Sequence, residues 1–200
     1  MNINYLYEIS SKLERVLSLG YQNKFSSSFI ERQISYSPYF QKVEKSNQFV
    51  SSIINEEQLL KEIYPDINDV DCPKYNQCMW TSEAYLRIQE NTGLTFECIF
   101  LYIPINKMYE YFPLYHEMDF SHIIEVFKSL HSEKSVLSIL IDKYHYSLKD
   151  VSHFIDVSYD TLYSAKQRRR DIKKLDFDVL YKLSNVFNVR LETLTETSIS

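Results

Sequence analysis

Two glycines in 200 residues is the feature that most narrows the fold of this chain. Tight hairpin turns lean on glycine, because their backbone visits positive φ. A sheet protein of this length would need many such turns. Prolines, which break helices, number only five. With hydrophobic residues at 44 %, the chain can bury a core and is expected to fold mainly as helices.

The net charge is −5, but it is unevenly spread. Residues 1–131 carry 11 basic and 17 acidic groups, whereas residues 132–200 carry 11 basic and 10 acidic. Within the second part, Lys166, Arg168, Arg169, Arg170, Lys173 and Lys174 face Asp171 alone. Such a basic run is an expected footprint of nucleic-acid binding that whole-chain charge conceals. The first apolar residues are interrupted by Glu8, Lys12, Glu14 and Arg15, unlike a signal peptide. No apolar stretch reaches the ~18–20 residues of a membrane span. Three unevenly spaced cysteines do not suggest a disulfide framework, so a cytoplasmic location is expected.

Residues 3–19 predict an amphipathic helix, with Leu6, Ile9, Leu13, Val16 and Leu17 inward and the charged residues outward. Gly20 reads as its stop. A polar loop is expected at 21–28. Ser37-Pro38 then reads as an N-cap with proline at the first helical position, opening a helix to about Asn55. A short helix from Glu56 to Ile63 should stop at Pro65, with a loop from Asp66 to Tyr75. Gln77 to Asn91 should be helical, with Gly93 as its C-terminal cap. The run Phe96 to Ile105 fits a buried strand or a buried helix by period, and its helical neighbourhood favours the helix. Residues 120–130 predict another helix. The polar stretch His131 to Lys134 reads as a turn and divides the chain at 131/132.

Beyond it, Val136, Leu137, Leu140 and Ile141 line one helix. Ser147 and Asp150 form a capping-box arrangement for a second, whose Val151, Phe154 and Ile155 should face inward. The turn Asp156-Val157-Ser158 follows, with Ser158 able to cap a third helix carrying Leu162 and Ala165 inward. A helix from Asp176 to Phe187 and a last turn from Leu191 to Leu194 complete the pattern. Over residues ~135–194 this run resembles the Cro and repressor (XRE) family of helix-turn-helix domains, the lambda-repressor-like type. Ser152, Asp156 and Asn188 stand where that family usually has alanine, glycine and glycine.

The resemblance implies a five-helix domain whose third helix enters the major groove of double-stranded DNA. It implies base contacts from Tyr159, Asp160 and Ser164. It implies phosphate contacts from Ser158, Lys166, Gln167, Arg168, Arg169, Arg170, Lys173 and Lys174. The expected fold class is all-α, with an N-terminal helical domain at 1–131 and this domain at 132–200. The expected function is that of a sequence-specific transcription regulator of bacterial or phage origin, acting as a homodimer. A rival expectation is a mobile-element protein, of anti-CRISPR or antitoxin type. Its acidic N-terminal domain would dock onto a host or regulatory protein, while the helix-turn-helix represses its own operon.

The N-terminal region is dense in aromatics from Trp80 to Tyr115, read as a core or a partner surface. His116, Glu117, Asp119 and His122 form a cluster of metal-ligand types. On a helix the two histidines are six apart and do not share a face, so no metal is expected. Cys72 and Cys78 are too far apart for a zinc-type CxxC, and Cys98 reads as a buried thiol. No glycine-rich phosphate loop, nucleophile elbow or triad is visible. The chain is therefore not expected to be an enzyme, and no cofactor is expected.

Overall fold

The computed structural model describes residues 3–45, 54–67, 75–169 and 171–195. Every α-helix or strand assigned among them is a helix, so the fold class is all-α. The chain separates into two compact units, Met1–Glu125 and Val126–Ser200. The division falls inside helix α8 (Ser121–Glu133), and the stretch His131 to Glu133 continues that helix instead of forming a turn.

The first unit is built around α1 (Ile3–Gln22), which lies against α5 (Asn76–Thr92) and α4 (Glu56–Ile63). Ile9, Leu13, Val16 and Leu17 are fully buried, as their spacing predicts. Lys12 and Glu14, expected outside, are buried as well. The Lys12 ammonium tolerates this because it bonds Glu8 at 3.2 Å and lies 5.2 Å from the centre of the Tyr39 ring. Arg15 pairs with Glu56 at 2.7 Å. Helix α1 is therefore covered on more of its circumference than an amphipathic pattern implies.

Gly20 does not stop α1, which runs two residues further. A Cβ at Gly20 would stand 2.6 Å from Ile30 Cδ1 and 2.8 Å from the Tyr64 hydroxyl. Glycine is present for close approach. The chain leaves the helix instead at Lys24, at φ 55°. Helix α2 (Ser27–Tyr36) begins inside the expected loop, capped by Ser26. Helix α3 (Pro38–Glu44) opens at proline as expected but ends at Glu44. Residues 46–53 lie outside the described residues. Asn55 is not a helix end: its side chain caps α4 in a reciprocal box with Gln58.

Helix α5 ends at Gly93 in the left-handed conformation, φ 69°. The ambiguous run resolves as α6 (Phe96–Tyr102), then a break, then α7 (Ile105–Tyr115) preceded by Pro104. Thr95 caps α6 locally, accepting from Cys98 N at 3.2 Å, and both N-termini also receive carboxylates from far away in sequence. Glu44 accepts from Phe96 N at 2.7 Å, and Glu31 accepts from Ile105 N at 2.8 Å. Tyr85 and Phe96 are among the largest fully buried side chains, and Trp80, Phe100 and Tyr102 are buried too, so much of the aromatic segment is core. The Tyr85 hydroxyl, buried in that core, donates to the Ile103 carbonyl at 2.8 Å.

The second unit holds the end of α8 and five helices: α9 (Val136–Tyr144), α10 (Leu148–Ile155), α11 (Tyr159–Lys166), α12 (Phe177–Phe187) and α13 (Leu191–Thr195). Helix α10 packs against α11 and α12, while α9 packs against α11 and α13. Leu140, Val151, Leu162, Leu183, Phe187 and Leu194 form its centre, each fully buried. No helix among the described residues is long and apolar enough to cross a membrane.

Candidate nucleic-acid interface

The site is assembled from local signals. Ser147 caps α10 by accepting from Asp150 N at 3.1 Å, while the Asp150 carboxylate accepts from Ser147 N at 3.0 Å. The Ser147 hydroxyl and amide hold the Asp150 carboxyl below the usual aspartate range. Leu148, Val151 and Ile155 turn inward. Phe154 does not: it is 58 % exposed, with its ring edge against Tyr146. On an eight-residue helix Val151 and Ile155 already span the buried stripe, which leaves Phe154 at its margin.

Asp156 ends α10 in the left-handed conformation at φ 56°, where glycine is least strained. Val157 N donates to Ser152 O at 3.0 Å, a wrapped C-terminus that turns the chain sharply. Ser158 then caps α11, accepting from Thr161 N at 3.3 Å and donating to Thr161 Oγ1 at 2.8 Å. Two caps with a turn between them fix the angle between α10 and α11. Leu162 and Ala165 bury the inner face of α11.

The outer face of α11 carries the predicted base-reading residues. Tyr159 is 49 % exposed, Asp160 is exposed and Ser164 is half-buried. Asp160 lies in the first turn of the helix, where a carboxylate complements the N-terminal dipole. Tyr163, which the sequence reading passed over, is exposed on the same face as Tyr159, and their rings stack at 6.0 Å. Spacing of four along a helix is the signal that could have found it.

The basic run divides into different environments. Ser158, Gln167, Arg169, Lys173 and Lys174 are exposed, and Lys166 is half-buried. Lys173 and Lys174 sit on a 3-10 turn, Ile172–Lys174, capped by the Asp171 carboxylate. Arg170 lies outside the described residues. Arg168 adopts φ 55° and turns back toward the end of α8. Its guanidinium donates to the carbonyls of His131, of Ser132 at 3.2 Å and of Lys134 at 2.8 Å. These are carbonyls at and just past a helix C-terminus, which lack partners within the helix. Ser135 works at the same place, capping α9 while its hydroxyl donates to Lys166 O at 2.7 Å. A shallow concavity beside the turn sets Lys149 against Asp150 and Asp156, so it carries no excess of positive charge.

In the first unit the histidine cluster is spent on helix ends. His116 Nδ1 faces Phe112 O at 2.9 Å, His122 Nδ1 faces Asp119 O at 3.2 Å, and the Asp119 carboxylate accepts from Ser121 N at 2.8 Å. Among the described residues no three His, Cys, Asp or Glu side chains converge as a metal site would require. Cys78 and Cys98 are buried thiols, and Cys72 lies outside the described residues.

No curated protein and no solved structure matches the chain. The family model of the Cro/C1-type helix-turn-helix DNA-binding domain matches residues 136–198. That segment begins with α9 and holds the capped pair α10–α11 at its centre. The C-terminal part of this protein is a Cro/C1-type helix-turn-helix DNA-binding domain.

Proposed function

We propose that the chain is a sequence-specific transcription regulator of bacterial or phage origin, with α11 seated in the major groove. The carrying observation is the exposed face of α11. Tyr159 and Asp160 lie at its N-terminal end, half-buried Ser164 lies one turn further on, and the exposed cations Arg169, Lys173 and Lys174 follow in the chain. N-terminal side chains of a recognition helix reach base edges, while cations beside it meet phosphates. Asp160 accepts a hydrogen bond from an amino group such as cytosine N4. Binding as a homodimer multiplies the modest affinity of one module over two half-sites.

The test is selection of duplexes from a random pool by the full chain, then titration of the selected and a scrambled duplex. Asp160→Asn should raise affinity for the scrambled duplex by removing a charge near phosphates. It should also lower the preference at one base pair by about 1–3 kcal/mol. Selection of no sequence at all refutes the reading.

A second reading concerns the first unit. Residues 1–125 hold 10 basic and 17 acidic groups. A cleft of about 200 Å³ opens between α1 and α5, bordered by Tyr7, 75 % exposed, and Met79, 52 % exposed. Exposed tyrosine and methionine beside a cleft favour an interaction surface for a host or regulatory protein. Under this reading the helix-turn-helix serves autoregulation of a mobile-element inhibitor. Tyr7→Ser with Met79→Ser in the full chain should then abolish capture of the partner and leave duplex affinity unchanged. Loss of duplex affinity instead would count against it.

A further inference from the structure

Helix α11 carries two exposed rings that the fold does not need. Leu162 and Ala165 supply its buried face, whereas Tyr159 is 49 % exposed and Tyr163 37 %. The rings lie four residues apart, on one side of the helix. They stack at 6.0 Å with 14° between their planes. The Arg169 guanidinium lies over the Tyr163 ring, 5.8 Å from its centre. Each member of this stack restrains the next. A ring held in that way loses little rotamer freedom on binding, since a tyrosine has only two side-chain torsions to fix.

The stack sits beside Asp160, and the two offer different chemistry. Asp160 accepts hydrogen bonds, and on a base edge only the amino groups of cytosine and adenine supply them in the major groove. The rings offer flat apolar surface. The single apolar group presented by a base in the major groove is the C5-methyl of thymine. On the DNA-binding reading above, we infer that the Tyr159–Tyr163 pair reads a thymine methyl. Tyr163 is then the specificity-determining residue that the sequence pattern left out, and Arg169 holds its ring in place. The recognised site places that thymine next to a base pair whose amino group faces Asp160. Contact is through the ring rather than the hydroxyl.

The experiment uses the full chain and a duplex that it selects from a random pool. Each thymine is replaced in turn by deoxyuridine, which deletes one methyl and leaves every hydrogen-bonding group in place. Affinity should fall roughly fourfold at one or two positions, the value of one buried methyl group, and stay level elsewhere. Tyr163→Ala should bind thymine and uracil duplexes equally at those positions. Tyr163→Phe should keep the preference. Both positions are exposed, and circular dichroism checks that the variants remain helical. No effect of any deoxyuridine, with sequence preference intact, overturns the inference while leaving DNA binding standing. So does a Tyr163→Ala chain that still prefers the methyl. Loss of the preference in Tyr163→Phe assigns the contact to the hydroxyl and overturns it too. A chain that selects no sequence fails the DNA-binding reading itself, a distinct outcome.

Discussion

Both units cap helices locally, but the first adds closures from far along the chain. In the first, α6 and α7 receive carboxylates from 52 and 74 residues away, Glu44 to Phe96 N and Glu31 to Ile105 N. Tyr64 reaches Val16 O across 48 residues. In the second, Ser135, Ser147 and Ser158 each cap their own helix by accepting a backbone N–H three residues on. Helices α9, α10 and α12 end at His145, Asp156 and Asn188, all in the left-handed conformation. The second unit carries its turn instructions beside its turns. The first acquires several of them only once distant helices have met. An interface that must hold α10 and α11 at one angle profits from local determinants, because they act regardless of what lies elsewhere in the chain.

The largest expected effects come from each core. Phe96→Ala and Phe187→Ala remove fully buried rings and should each destabilise by about 3–5 kcal/mol. If the units are separate folding blocks, Phe96→Ala lowers one thermal transition and Phe187→Ala the other. One shared transition, lowered by both, would break the comparison at its root.

A pH effect comes next, confined to the second unit. Burial, with the charge of Arg168 nearby, pushes His131 down to about 4. The unfolded imidazole titrates near 6.5. Between those values the unfolded chain takes up a proton that the folded unit refuses. Stability is therefore full above about pH 6.5 and falls as pH drops toward 4, by about 2 kcal/mol at pH 5. Denaturant unfolding of the full chain at pH 7 and 5, followed by the transition that Phe187→Ala lowers, measures it. His131→Gln should flatten that dependence. A transition equally sensitive to pH in the variant would mean that other groups carry it.

Of similar size or smaller, and directed at the comparison itself, are the caps. Glu31→Ala and Glu44→Ala each remove a charged acceptor from a helix N-terminus and should lower stability by about 1.5–3 kcal/mol. Ser147→Ala and Ser158→Ala should lower it by about 1 kcal/mol. Chemical denaturation of the four variants compares them. Equal effects would show that distance along the chain makes no difference to what a cap contributes.

The same contrast explains what the sequence revealed. Ser147 with Asp150, the turn at Asp156 and the cap at Ser158 were legible because each signal lies within three residues of its effect. Gly93 and the Asn55–Gln58 neighbourhood mark the opposite limits of such reading. A left-handed glycine after a helical period is unambiguous, whereas an asparagine can close one helix or open the next. Gly20 was misread as a stop, because its reason is the Ile30 side chain and the Tyr64 hydroxyl, neither adjacent in sequence. Lys12 and Glu14 were misplaced for a related reason. A charged residue looks exposed until the partners that let it be buried are known. At the interface, Phe154 was assigned inward by period alone. Tyr163 was missed because the family pattern, rather than helical geometry, chose the candidates.

The basic run holds a place where the second unit, too, is closed from a distance, and it gives the last prediction. Sequence alone makes Arg168 and Arg169 equivalent neighbours. In the structure Arg168 spends its guanidinium on three carbonyls at and just past the end of α8, 34 to 37 residues away. Arg169 points elsewhere, over the Tyr163 ring on the outer face of α11. Their alanine variants should therefore fail in different assays. Arg168→Ala removes hydrogen bonds from carbonyls at a helix end and should lower stability by about 1 kcal/mol. It should leave the slope of log K against log salt near its original value. Arg169→Ala should leave stability within about 0.5 kcal/mol. It should reduce that slope by about one unit, as expected when one phosphate contact and its released counterion are lost. Denaturant unfolding and a salt series on one selected duplex measure both quantities for both variants. If Arg168→Ala shifts the slope and spares the stability, its guanidinium leaves α8 to meet a phosphate when DNA binds. The Ser135–Lys166 bond would then be the remaining long-range closure at that place, and the difference between the two units would be sharper than the structure draws it.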